Sequence, residues 1–283
     1  MNKKLCLIFI LAVAACMPFK TPLHAENKTK AGSFSVLTYN VAGLPDLISQ
    51  SHPAKFNALI SPLLNDFDLV LVQEDFYYHD DLASSASHPH VSPPGTGGIL
   101  GDGLARFSTF PFTNVVHVPW EQCHGRLGYA NDCLTPKGFS FATHQPAPGV
   151  YIDVYNLHMD AGGNINDQTT RAAQMRQLIN TIKTTSRGKA VIAAGDWNLS
   201  GKRKNDLDTL EMLLTELDMT DSCRALKCGR ERIDRIIFRS SDEIRLKPLE
   251  YKVEAQRFTS TKGRQLSDHQ AVSVLFSWEY TGE

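Results

Sequence analysis

Short apolar runs rich in β-branched residues recur along the chain and are the clearest sign of its secondary structure. Runs of this length and composition are typical of strands, and those that are apolar on both faces are typical of strands buried between two layers. We predict strands at six places: residues 35–40, 68–73, 151–157, 190–194, 233–238 and 271–276.

Two longer segments have the three-to-four-residue period of an amphipathic helix. The first spans residues 168–184, with an apolar face formed by Ala172, Met175, Leu178, Ile179 and Ile182. Asp167 stands where it could cap the start of this helix. The second spans residues 207–217, with an apolar face formed by Leu210, Leu213, Leu214 and Leu217.

The balance of these elements indicates the fold class. Strands outnumber helices, so we expect an α/β protein in which two packed sheets are covered by helices, rather than a single doubly wound sheet. We find no internal repeat and no long linker, so residues 26–283 are predicted to form one domain. The stretch 84–103, rich in Pro, Gly and Ser, predicts one long surface loop.

The first residues have the composition of a targeting segment. Lys3 and Lys4 precede an apolar run over residues 5–15, and Ala25 offers a small residue for cleavage. This run is shorter than the roughly 20 apolar residues of a membrane span. We therefore predict a signal peptide over residues 1–25 and a secreted or periplasmic protein. The alternative is a lipoprotein signal that leaves a lipid on Cys16, because small residues precede that cysteine.

Charge and cysteine content narrow the picture further. The formal net charge is −1, so no global positive field indicates nucleic acid. Cleavage would leave four cysteines, which allow three pairings. We predict Cys123–Cys133 and Cys223–Cys228, because each closes a short loop and export leads to an oxidising compartment. Zinc binding is the weaker alternative, since no Cys-x-x-Cys spacing occurs.

Polar residues that a core would not select stand at the ends of the predicted strands. Four of them follow strand C-termini, two lie just beyond, and three stand where strands start: Asn40, Glu74, His158, Asp196; Asp160, Asn198; Asp234, Asp268 and His269. If the strands that start with these residues run antiparallel to the others, all of these side chains converge on one rim.

Each of these residues alone has an ordinary explanation, such as a turn, a cap or a histidine satisfied in the core. A cluster of carboxylates, amides and imidazoles is costly, however, unless a cation or a substrate interacts with it. Oxygen ligands from Glu and Asn suit Mg²⁺, Mn²⁺ or Ca²⁺ better than zinc. The sequence therefore predicts a metal-dependent site on the rim.

The same residues form a recognisable series of motifs. In chain order, LTYN (37–40), QE (73–74), NLH (156–158), GDWN (195–198), IDRI (233–236) and SDH (267–269) resemble the motifs of the endonuclease/exonuclease/phosphatase superfamily. The resemblance spans nearly all of residues 26–283. It implies a four-layered α/β/β/α sandwich (DNase I-like) and a phosphodiesterase that depends on a divalent metal.

Hydrolysis of a phosphodiester needs an activated water and neutralised charge, which suggests catalytic roles. We predict His269 as the general base, because imidazole titrates near neutral pH. Asp234 would accept the other ring N–H and fix the tautomer. His158 and Asn198 would contact phosphate oxygens, and Asp196 would orient the attacking water or hold a second cation. The resemblance implies the same assignments.

The predicted metal ligands are hard oxygen atoms. Glu74 would hold the main cation, Mg²⁺ first, with Asn40 beside it, and Asp268 would ligate the metal or position its shell. The resemblance supports these three positions. Asp160 has no such support.

Further segments resemble the neutral sphingomyelinase branch of the superfamily. They are residues 102–108, Asp132 with Lys137-Gly138, and Arg171 with residues 174–178. The sequence departs from that branch at residues 159–162. The resemblance implies a phospholipase C acting on sphingomyelin or another lipid headgroup at a membrane surface.

A lipid enzyme must also dock on its membrane. Candidate interfacial aromatics are residues 76–78, Phe110, Phe112 and Trp120, although Phe110 and Phe112 fit a core equally well. We expect a monomer. Two other functions stay open: a secreted nuclease resembling DNase I, which the IDRI motif also matches, and a non-catalytic toxin subunit or binding module that retains the fold.

Overall fold

The computed structural model describes residues 30–45, 52–97, 100–125, 132–229 and 232–282. The predicted signal peptide, its cleavage site and Cys16 lie outside the described residues. Within the described ranges, no helix is long and apolar enough to cross a membrane.

Strands occur at all six predicted places, and six further strands join them among the described residues. In chain order they are β1 (Lys30–Asn40), β2 (Leu69–Gln73), β3 (His90–Ser92), β4 (Ala105–Ser108), β5 (Phe112–Pro119), β6 (Gly138–Ala147), β7 (Val150–His158), β8 (Val191–Asp196), β9 (Thr220–Asp221), β10 (Asp234–Arg239), β11 (Ile244–Val253) and β12 (Val272–Tyr280).

Helices connect the strands on the outer faces. They are α1 (Pro53–Ile60), α2 (His79–Ala83), α3 (Ile165–Thr185), α4 (Lys204–Glu216) and α5 (Ser222–Ala225). A 3-10 helix, Ser61–Asp66, extends α1, and a short one, Asp132–Leu134, precedes β6. Both helices predicted from the apolar period are confirmed as α3 and α4.

The strands form two six-stranded sheets, in the orders β11-β12-β1-β2-β4-β3 and β5-β6-β7-β8-β10-β9. β1 runs parallel to β2 and antiparallel to β12. In the second sheet, β7 runs parallel to β8, and β10 runs antiparallel to β8. The ends of β1, β2, β7 and β8 therefore lie on the same rim as the starts of β10 and β12, as the sequence predicted.

Three apolar clusters define the layers. The first lies between the two sheets and includes Val36, Leu71, Val154, Ile192 and Val274. The second packs α3 and α4 against the second sheet, and the third packs α1 against the first sheet. The predicted four-layered α/β/β/α sandwich is confirmed, because each sheet buries one face on the other sheet and one face under helices.

Two local expectations need correction. The N-cap of α3 is Asn164, whose side chain accepts the N–H groups of Asn166 and Asp167, whereas Asp167 accepts the N–H of Asn164 as the third residue of a capping box. The loop predicted over residues 84–103 contains β3, which pairs with β4 at the sheet edge. A three-residue strand is too short to show a period in the sequence.

Both predicted disulfides are confirmed. Cys123 is bonded to Cys133 and Cys223 to Cys228, at Cα–Cα distances of 5.3 Å and 4.9 Å.

Candidate active site

An amide and two carboxylates meet where β1, β2 and β8 end. Asn40 Nδ2 donates to Glu74 Oε1 at 3.0 Å and to Asp196 Oδ2 at 3.2 Å, while its Oδ1 accepts the N–H of Ala42. Glu74 has a φ of 58°, which a residue with a Cβ adopts at a cost of about 1–3 kcal/mol. This backbone turn directs a carboxylate, 20% exposed, into the rim.

A histidine and an aspartate pair on the opposite side of Asp196. Nδ1 of His269 lies 2.9 Å and 3.1 Å from the two carboxylate oxygens of Asp234, and its Nε2 lies 3.6 Å from Asp196 Oδ2. Asp234 and Asp196 are register partners in β10 and β8, so the sheet fixes their separation. Ser267 Oγ accepts the N–H of His269 and donates to Asn40 O at 2.7 Å, which ties the residues before β12 to the end of β1.

The electrostatics of this cluster reflect its burial and its excess of carboxylates. Burial alone would lower the pKa of His269, but Asp196 and Asp234 outweigh it and raise the pKa to about 10. Burial raises the pKa of Asp196 to about 7, against the opposing charge of His269. The excess of carboxylates that raises the pKa of His269 also favours a bound cation.

A lysine lies beside the second histidine of the rim. Nζ of Lys137 is 3.1 Å from Nε2 of His158 and 2.5 Å from Asp132 Oδ1. His158 Nε2 is also 3.4 Å from Asp196 Oδ2. Burial, together with the charge of Lys137, lowers the pKa of His158 well below its ordinary value. His158 is therefore neutral at pH 7, and Lys137 is the cation on this side of the rim.

The remaining predicted residues take different positions. Asn198 borders the site, where its N–H donates to Asp196 Oδ1 and its Nδ2 donates to Met159 O, both at 3.0 Å. Asp268 is exposed at the edge, 3.3 Å from Ser267 Oγ. Asp160 has a structural position, because its carboxylate accepts hydrogen bonds from Gln174 Nε2 and from the N–H of His124.

Lys137 is the residue whose place the sequence analysis missed. It appeared there only in a segment that resembles one branch of the superfamily, and the signal for its position is Gly138. A Cβ on Gly138 would lie 2.1 Å from Val118 O, so a glycine is needed where β6 begins against β5. The close approach of Gly138 to β5 fixes the backbone next to Lys137 and so directs the Lys137 side chain to the rim.

The structure gives other roles to some residues considered for substrate or membrane contact. Arg106 is buried between the sheets and donates to Ser140 Oγ at 2.8 Å, so it does not reach a substrate. Trp120 is buried, and its indole N–H donates to His158 O at 2.7 Å; it therefore supports the rim instead of contacting a membrane. Tyr77 is 65% exposed.

The donor set fits a hard divalent cation. Ligand atoms of Asp196, Asp234 and His269 lie within 4.8 Å of one another, and the oxygens of Glu74 and Asn40 border Asp196. Of the predicted ligands, Glu74 and Asn40 are brought together, and Asp268 stays at the exposed edge. Carboxylate and amide oxygens of this kind are the ligands that Mg²⁺ and Ca²⁺ prefer.

Comparison with known proteins agrees with this site. The model of the endonuclease/exonuclease/phosphatase family matches residues 37–269, which include every motif of the rim. A protein named sphingomyelinase from Mycobacterium tuberculosis is 32% identical over 279 residues, which cover 90% of this chain and 55% of that protein. The chain thus spans about half the length of the curated relatives it matches.

Solved structures share the fold at low identity. A mutant form of beta toxin from Staphylococcus aureus, with bound magnesium ions, has a TM-score of 0.64 at 15% identity, and the match covers 89% of this chain and 100% of that one. D. rerio TDP2 in complex with a single-stranded DNA product has a TM-score of 0.66 at 19% identity, covering 86% and 98%. By its family model, its motif order and its fold, the chain belongs to the endonuclease/exonuclease/phosphatase family.

Proposed function

We propose that this protein is a secreted, metal-dependent phosphodiesterase that hydrolyses the phosphodiester of a lipid headgroup, with sphingomyelin as the first candidate. The observation that supports hydrolysis most directly is the His269–Asp234 pair facing Asp196 on a rim that also holds Glu74 and Asn40. The lipid assignment is supported by the relatives named sphingomyelinase. Two disulfides fit an exported protein.

We assign the proton transfer to His269. Asp234 accepts the N–H at Nδ1, which leaves Nε2 directed toward Asp196 and available to the attacking water. Water attacks phosphorus, its proton passes to Nε2, and the bond from phosphorus to the lipid oxygen breaks. The same ring can then return the proton to the leaving oxygen.

The side-chain oxygens of Glu74, Asn40 and Asp196 have a second role, which is to bind a metal. Glu74 and Asn40 would hold a divalent cation, with Asp196 beside them. Bound there, the cation supplies positive charge to the phosphoryl oxygens and offsets the carboxylate field that raises the pKa of His269.

We assign Lys137 and His158 to the phosphate, on the other side of Asp196 from Asp234. Lys137 is buried and positively charged, and its ammonium group contacts the imidazole of His158. We assign Lys137 to a phosphate oxygen that carries negative charge in the transition state. Asn198 and Asp196 would position the phosphate and the water. Asp268, at the exposed edge, would act only on the shell of the site.

The test is a substrate panel under one buffer with Mg²⁺. We expect release of phosphocholine from vesicles that contain sphingomyelin, less from phosphatidylcholine, and little cleavage of plasmid DNA, because the net charge of −1 supplies no nucleic-acid field. Rapid nicking of the plasmid with inert vesicles would instead assign the protein to the nucleases, which the fold shared with TDP2 also permits. Inactivity on all three substrates would support a non-catalytic binding module.

A further inference from the structure

A groove on the outer side of the first sheet concentrates positive charge. It lies between α1 with its 3-10 extension and the connection from β11 to β12, and its volume is about 590 Å³. Lys55, Arg257, Lys262 and Arg264 line it, and none of the described residues that line it is acidic. We call it the basic groove.

Most of this charge is not neutralised by the protein. Arg257 pairs with Asp66 and Glu254. Among the described residues, no carboxylate forms an ion pair with Lys55, Lys262 or Arg264, and all three side chains are exposed. Like charges collected without counter-charges attract an anionic ligand.

The floor of the basic groove is hydrocarbon. Phe56 and Leu266, both buried, form it, and Leu59, at its border, is 42% exposed. The guanidinium of Arg264 lies 5.3 Å from the centroid of the Phe56 ring, which holds the charge above the floor. Cations beside an exposed leucine match a phospholipid, whose phosphate meets the cations and whose glycerol and acyl carbons meet Leu59. A free phosphate would gain nothing from the apolar residues.

The segment that carries Lys262 and Arg264 is already in a fixed shape. The N–H of Ser260 donates to Arg264 O, and the N–H of Gly263 donates to Ser260 O, both at 2.8 Å. Gly263, with a φ of 75°, makes the turn. Thr259 and Gln265 close the hairpin as an isolated β-bridge. A preformed loop loses less conformational entropy when it binds.

The basic groove is close to the active-site rim along the chain. Leu266 lines the groove, and Asp268 and His269 follow it closely in the chain. Ser267 between them is held by its hydrogen bond to Asn40 O. The groove is therefore only a few residues along the chain from His269, which would act on a phosphodiester.

We propose that the basic groove binds the headgroups of anionic phospholipids and so seats the protein on a negatively charged membrane with the rim beside the bilayer. This proposal rests on the proposed function, because docking on a membrane serves the hydrolysis of a lipid. Binding to vesicles is nevertheless measured separately from catalysis.

The experiment compares cosedimentation of the full chain with vesicles of phosphatidylcholine and with vesicles in which part of that lipid is replaced by phosphatidylglycerol. The groove variant is Lys262→Glu/Arg264→Glu. The matched control is Arg245→Glu/Lys247→Glu, which reverses two exposed charges on β11. These residues pair with the C-terminal end of β12, whereas the rim lies at its start. Turnover of a soluble aryl phosphodiester and the circular-dichroism spectrum check that both variants stay folded.

We expect wild type and control to bind the anionic vesicles in preference to the neutral ones, and the groove variant to bind them at least about twentyfold more weakly, because each basic residue near such a surface contributes several-fold. Equal binding by groove variant and control overturns the proposal. Full competition of vesicle binding by millimolar inorganic phosphate also overturns it, because that result indicates a site for the free anion. The proposal is likewise overturned if the groove variant loses binding to an oligonucleotide and keeps its binding to the vesicles. If vesicle binding depends on the groove but no lipid is hydrolysed, the proposed function fails and the groove assignment stands.

Discussion

Asp234 acts at the rim by orienting the side chain of His269. Both of its oxygens lie within hydrogen-bond distance of His269 Nδ1, and its place in β10 opposite Asp196 leaves it little freedom. The negative charge of Asp234 is also one cause of the raised pKa of His269. Its expected effects are therefore on the tautomer and on the charge of the imidazole, and not on the binding of a lipid.

We predict that Asp234→Asn lowers kcat at least about a hundredfold with little change in KM, the range expected when a general base loses its orientation. The amide can present its NH₂ group to Nδ1 and so favour the wrong tautomer. Initial rates over a range of substrate concentrations separate the two constants. Asp242→Asn, an exposed carboxylate between β10 and β11, is the control. Near wild-type turnover of folded Asp234→Asn would remove Asp234 from this role.

Sequence reasoning worked best for single residues that break a strong local pattern. Asn40, Glu74 and Asp196 are polar residues at the ends of apolar strands, so their position on the rim could be predicted from the neighbouring residues alone. The position of Lys137 was not predicted, because its contact with His158 spans the β6–β7 hairpin and the neighbouring Gly138 signals only a close approach of two strands. The exposure of Asp268 likewise depends on how the β11–β12 connection folds over the first sheet.

At the scale of elements, the loop before β6 is the part that a covalent bond constrains. Cys123–Cys133 closes the segment that delivers Asp132 to Lys137 Nζ and, through Oδ2, to the N–H of Ala161. The disulfide thus supports one wall of the candidate site. Cys223–Cys228 closes a smaller loop that begins in α5, away from that wall.

We predict that Cys123→Ser/Cys133→Ser lowers turnover as well as stability. A cross-link that closes a loop of this size stabilises by about 2–4 kcal/mol, mainly by restricting the unfolded chain, and here it also positions Asp132 for Lys137. Thermal unfolding and turnover are measured for this variant and for Cys223→Ser/Cys228→Ser. We expect both to unfold at lower temperature and only the first to lose much of its turnover at a temperature where both are folded. Equal losses of turnover would contradict a role for the Cys123 loop in the site.

Elements were predictable to the extent that an apolar run or a helical period marks them in the sequence. The strands at the rim were visible as short apolar runs, and both long helices were visible because each buries a regular face. β4, β5, β6 and β11 were not predicted, because polar residues interrupt their apolar residues. β3 and β9 were not predicted either, since a strand of two or three residues is defined by its partner and not by its own sequence. The N-cap of α3 was misplaced by three residues because Asn164 and Asp167 both have capping side chains, and only the backbone decides which one comes first.

At the scale of the molecule, the rim depends on how the two sheets face each other. Behind it, Gln73 Nε2 donates to Asn156 Oδ1 at 2.7 Å, and Asn156 Nδ2 donates to the carbonyls of Val72 and Ala105. This buried network connects β2 of one sheet with β7 of the other, where an apolar contact would allow sliding. As a result, Glu74 Oε1 and His158 Nε2 face each other across the two sheets at 3.8 Å.

The charge balance of the whole rim leads to the last prediction, that the protein requires a divalent cation. Carboxylates from both sheets meet at the rim, from Glu74, Asp196 and Asp234. Lys137 and His269 do not replace the two positive charges that a bound Mg²⁺ would bring to them. Exhaustive dialysis against EDTA should abolish turnover, and Mg²⁺ should restore it. Mg²⁺ should also raise the unfolding temperature, since an ion at about a hundred times its Kd stabilises the native state by about 2.7 kcal/mol.

Glu74→Gln tests where that ion binds. The variant keeps the shape of the side chain and removes one negative charge, so the metal-free protein should be at least as stable as wild type, while the rise in unfolding temperature with Mg²⁺ should be largely lost. Asp242→Asn, far from the rim, should respond to Mg²⁺ as wild type does. Full turnover after chelation would contradict the requirement for a metal, and an unchanged thermal response of Glu74→Gln would place the ion elsewhere. Because the thermal response needs no substrate, it separates an error about the ligand from an error about the reaction.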